Sequence, residues 1–149
     1  MSSSNDRARL RGLAGSLLGA LILENLLGIF ANLYLQLPSG NAIGAIFTSY
    51  PVLAVHVVLG LLMLALGLGI VLVAHRTGFR QVRNLAVAEV VFLALAIQEG
   101  FAFAATGDNA FSFGMEVGFV LSFAAVAGML YRLGSAGPEF PTEGVPTSV

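Results

Sequence analysis

Four long apolar runs, at residues 13–37, 52–74, 85–105 and 110–131, limit the folds open to this chain more than any other feature. About 20 residues of helix cross the hydrocarbon core of a bilayer. Backbone N–H and C=O groups find no water partners there, so runs of this length must satisfy one another as helices. The reading is an all-α polytopic membrane protein, a four-transmembrane-helix bundle with short loops. Composition agrees: of 149 residues, 57% are hydrophobic and 10% charged. A soluble domain carries nearer a quarter charged residues.

The basic residues orient the bundle. All seven are arginine. Arg7, Arg9 and Arg11 precede the first run, Arg76, Arg80 and Arg83 lie between the second and third, and Arg132 follows the fourth. The connections 36–51 and 106–109 carry none. Basic residues stay on the cytoplasmic side, so the expectation is a multi-pass protein of the plasma membrane with both termini cytoplasmic. Residues 1–12 form an N-terminal segment, 13–133 the membrane domain, and 134–149, rich in Pro, Gly, Ser and Thr, a flexible tail. Residues 42–47 of the first outer connection could lie along the membrane surface. The start of the chain has the basic-then-apolar order of a signal peptide, but the apolar stretch is too long and no small-x-small cleavage site stands out near its end.

Several chemistries are excluded. A net charge of −1 gives a nucleic-acid partner no electrostatic basis, and without cysteine there is no disulfide or thiolate chemistry. The short connections leave no room for a soluble catalytic domain, which argues against an enzyme acting on water-soluble substrates.

Eighteen glycines are many for this length. Gly15 and Gly19 in the first run, and Gly114 and Gly118 in the fourth, have the spacing that lets helix backbones approach closely. Packing within the chain is the first reading and a homodimer face the second.

Ionisable groups within a bilayer cost roughly 2.5–3.5 kcal/mol each on insertion scales, so each needs a reason. They are Glu24, His56, Glu89, Glu99 and Glu116. His56, Glu99 and Glu116 each lie roughly 9 Å below the outer end of their helix, at 1.5 Å per residue. Glu24 is slightly deeper, and Glu89 is separate, in the inner third of the third span. A polar cluster of Glu24, His56, Glu99 and Glu116 is therefore expected, supported by Asn25, Asn32 and Gln98. It could share protons, hold a hard or borderline cation, or simply lock the helices by hydrogen bonding, where such pairs average under about 1 kcal/mol. No Glu-x-x-His pair strengthens the metal alternative.

The segment His56-Val57-Val58-Leu59-Gly60-Leu61-Leu62 resembles the start of a helix in four-helix membrane haem proteins of the cytochrome b561 type. The resemblance covers about twenty residues and implies His56 as a ligand of haem b. That family also uses histidines on other helices. This chain has only His75, at the other end of the same helix, so the implication narrows to five-coordinate haem or ligation across a dimer.

Three functions follow as expectations: a subunit or accessory protein of a larger membrane assembly, proton or cation transport through the polar cluster, and haem or metal binding for electron transfer. The partners would be the lipid bilayer and either other membrane proteins or further copies of the chain.

Overall fold

A computed structural model describes residues 3–35 and 48–135. The surface-lying stretch expected at 42–47, Gln36, the side chain of Asn32 and the tail beyond 135 fall outside the described residues. Four long helices account for nearly all the rest: α1 (Ser3–Tyr34), α2 (Pro51–Arg76), α3 (Arg80–Thr106) and α4 (Asn109–Ser135). Among the described residues there is no strand. Each helix is long and apolar enough to cross a membrane.

The helices overrun the apolar runs at the basic ends. α1 starts at Ser3 and α3 at Arg80, so the arginines ride on helical turns. The connections are set by local chemistry. Gly78 takes φ 77° in the turn from α2 to α3. Gly107, at φ 71°, ends α3, and Asp108 Oδ1 then accepts the backbone N–H of Ala110 to start α4. Pro51 occupies the first turn of α2, where its missing N–H costs nothing.

Each helix packs antiparallel on its sequence neighbour, and α4 closes the ring on α1. The α3/α4 pairing is the most extensive and α1/α4 the least. This order gathers all seven arginines at one end of the bundle. At that end Arg83 lies 3.5 Å from His75 and Arg7 stands over the Phe79 ring.

The buried positions follow a coiled-coil spacing of alternating three and four residues. They are Leu10, Ala14, Leu17, Leu21 and Glu24 on α1, and Gly60, Met63, Gly67, Ile70 and Ala74 on α2. On α3 they are Val82, Ala86, Glu89, Leu93 and Ala96. Such a seam is the left-handed, knobs-into-holes geometry of most four-helix bundles. Large apolar side chains such as Leu26, Leu62, Leu72 and Phe113 point outward instead. Large apolar side chains all around the outside suit a bundle solvated by lipid, and the Ala and Gly positions of the seam let the backbones approach closely.

Candidate functional site

Glu24 is the last residue of the α1 seam, and His56 lies one turn before the first buried position of the α2 seam. The two meet across the α1/α2 contact, with His56 Nδ1 3.1 Å from Glu24 Oε1. Glycine makes the room on both sides. A Cβ on Gly60 would sit 3.3 Å from Glu24 Oε1, and one on Gly28 would sit 3.3 Å from His56 Cε1. Each polar side chain thus lies over the glycine that follows the other by one helical turn. Gly28 and Gly60 were not singled out from sequence. Their signal was there: Glu24-x-x-x-Gly28 and His56-x-x-x-Gly60 repeat one pattern on antiparallel helices.

Glu24 is 5% exposed, and among the described residues its Oε2 has no hydrogen-bond partner. The approach of His56 Nδ1 is close, but it is not a well-directed hydrogen bond.

The pair forms one wall of a cavity of about 410 Å³ between α1, α2 and α4, at the end away from the arginines. Asn25 and Glu116 line it, as do Asn109 and Ser112, which the sequence reading did not name. Glu116 lies about 10 Å along α4 from its first residue and is exposed on the outer surface of the bundle.

The other expected members sit elsewhere. Glu99 rests on α4 at Gly114, where a Cβ would be 3.0 Å from its Oε2. It is not among the residues around the cavity. Gln98 is exposed. The structure thus joins Glu24, His56, Asn25 and Glu116 and leaves Glu99 and Gln98 outside. The tyrosines Tyr34 and Tyr131 are exposed near helix ends.

A second polar centre lies deeper. Glu89 is wholly buried in the α3 seam; it accepts a hydrogen bond of 3.4 Å from Ser122 on α4, and packs against Gly67 on α2. Among the described residues its Oε2 has no hydrogen-bond partner. The Gly67 level lies seven residues of α2, roughly 10 Å, from the Gly60 level where Glu24 sits.

Haem and metal ligation find little support in this donor set. His56 and His75 are 19 positions apart on one helix, about 28 Å, so one macrocycle cannot join them. Among the described residues no three His, Asp or Glu side chains come together as metal ligands.

The two glycine pairs divide the work of packing. Gly118 lies against the backbone of Phe92 and Ala96, so the α4 pair packs within the chain. Gly15 and Gly19 are exposed and face nothing within 4 Å.

No protein-family model, curated protein or solved structure matches this chain.

Proposed function

We propose that this small membrane protein moves protons or cations, with the Glu24–His56 pair and Glu116 as the groups that take them up at the arginine-free end. The observation that carries the reading is the Glu24–His56 pair itself. An acid and a base lie 3.1 Å apart on a cavity wall, with one carboxyl oxygen buried and without a hydrogen-bond partner among the described residues. Glu89 is the next acidic group toward the arginine end, and it serves as a second station. Reconstituted into vesicles loaded with a pH-sensitive dye, the protein is expected to dissipate a pH gradient. Glu24→Gln and His56→Ala are each expected to slow that flux at least tenfold. Glu99→Gln, away from the cavity, keeps it within about twofold. A wild-type rate equal to that of protein-free vesicles would sink the proposal.

A second reading, the chain as a subunit of a larger membrane assembly, is favoured by the outward glycines of α1. Gly12, Gly15 and Gly19 have no neighbour within 4 Å, and small residues at this spacing support close helix–helix association. Replacing both Gly15 and Gly19 by Leu is expected to leave the thermal unfolding of the lone chain unchanged, since neither position is in contact. It should shift the mass of gently extracted protein from complex to monomer. A wild-type chain that is already a lone monomer in lipid nanodiscs counts against this reading.

A further inference from the structure

The cavity is larger than a proton or bare ion requires. At about 410 Å³ it falls in the range of small-molecule sites, about 300–1,000 Å³. From its walls we infer that its occupant is an organic cation with an apolar body, of the ammonium or phosphonium class. This inference rests on the transport reading and names its substrate.

Acidic groups outnumber basic ones on the walls. Glu24 and Glu116 line the cavity, while all seven arginines sit at the far end of the bundle and the chain has no lysine. His56 is the one basic group there, and it already faces Glu24. Glu24 Oε2 is sealed from solvent and lacks a hydrogen-bond partner among the described residues.

The rest of the lining suits the apolar body of such a molecule. Phe113 and Phe119 are part of the lining, and the faces of aromatic rings attract cations by about 0.5–2 kcal/mol. Met115 and Ile29 add adaptable apolar surface. Asn25, Asn109 and Ser112 supply hydrogen-bonding groups.

Access follows from the same geometry. Most of the lining comes from α1 and α4, whose pairing is the least extensive in the ring. Phe113 is 72% exposed and Glu116 is exposed, both on the outer surface. An amphiphilic cation dissolved in the surrounding lipid would meet Glu116 first and Glu24 last.

The test uses two probes of one shape and opposite charge, tetraphenylphosphonium and tetraphenylborate. Equilibrium dialysis of the purified full chain against matched micelles gives both affinities. The cation is expected to bind at least tenfold tighter than the anion. Glu116→Gln is expected to weaken the cation at least tenfold. Because Glu116 is on the outer surface, this variant keeps its fold. Glu24→Gln is expected to weaken cation binding by a similar factor. Equal binding of the two probes, or cation binding indifferent to both substitutions, overturns the inference. Proton flux in vesicles without selective cation binding also overturns it, but leaves the proton reading standing. Selective cation binding without flux does the reverse.

Discussion

Gly118→Leu is expected to cost the chain its folded state, and Gly118→Ala to weaken it measurably. A Cβ at this position would lie 3.0 Å from the Phe92 carbonyl oxygen and 3.2 Å from both the N and the Cβ of Ala96. Two of these three atoms are backbone, so no side-chain rotation can relieve the contact. α3 and α4 must move apart, and theirs is the most extensive pairing in the bundle. Overpacking of this kind costs about 1–3 kcal/mol, and Leu adds three more carbons to the clash. Thermal unfolding followed by circular dichroism in detergent, together with gel-filtration profiles, measures it. Gly15→Leu is the matched comparison, because that glycine faces open space. Gly118→Leu protein that melts like wild type would mean that α3 and α4 do not meet here.

Gly15 and Gly118 show how far sequence could be read. Both belong to a Gly-x-x-x-Gly pair, and spacing alone favoured internal packing for each. The structure supports that for Gly118 and turns Gly15 outward. In a water-soluble helix the polar face marks the outside. Here both faces of α1 are apolar, so periodicity cannot tell seam from lipid face, and only contact does.

The four helices were legible because apolar runs of about 20 residues or more read as membrane-crossing helices, and each run is helical and long enough in the structure. The acidic groups were legible as costly, but their grouping was argued from depth alone. Depth put Glu99 beside Glu24 and His56, whereas its position around α3 turns it to Gly114. The alternating three–four spacing that runs from Leu10 to Glu24, and from Val82 through Glu89 to Ala96, marks which carboxyls face inward. That seam shows only in the contacts, because the residues between its positions are mostly apolar as well.

Glu89 allows packing and proton handling to be separated. Gly67→Ala is expected to destabilise the bundle by about 1–3 kcal/mol. Its new Cβ would run into the Glu89 carboxyl and come within 3.0 Å of Val90 Cγ2, and a wholly buried Glu89 has nowhere to swing. Glu89→Ala alone also destabilises, because it empties a packed site and strips Ser122 of its acceptor. Together the two changes partly cancel. The double-mutant cycle should give a favourable coupling of about 0.5–3 kcal/mol, as contacting residues do, and a coupling of zero would mean that Gly67 does not make room for Glu89. Glu89→Gln asks the other question. Gln has nearly the same shape, and its carbonyl can still accept from Ser122, so stability should change little. It cannot bind and release a proton at neutral pH. If Glu89 is a station, this variant folds like wild type and its vesicles lose proton flux at least tenfold. If flux is untouched, Glu89 serves only to hold α3 against α2 and α4, and the proton path has to be sought from the Glu24–His56 pair by another route.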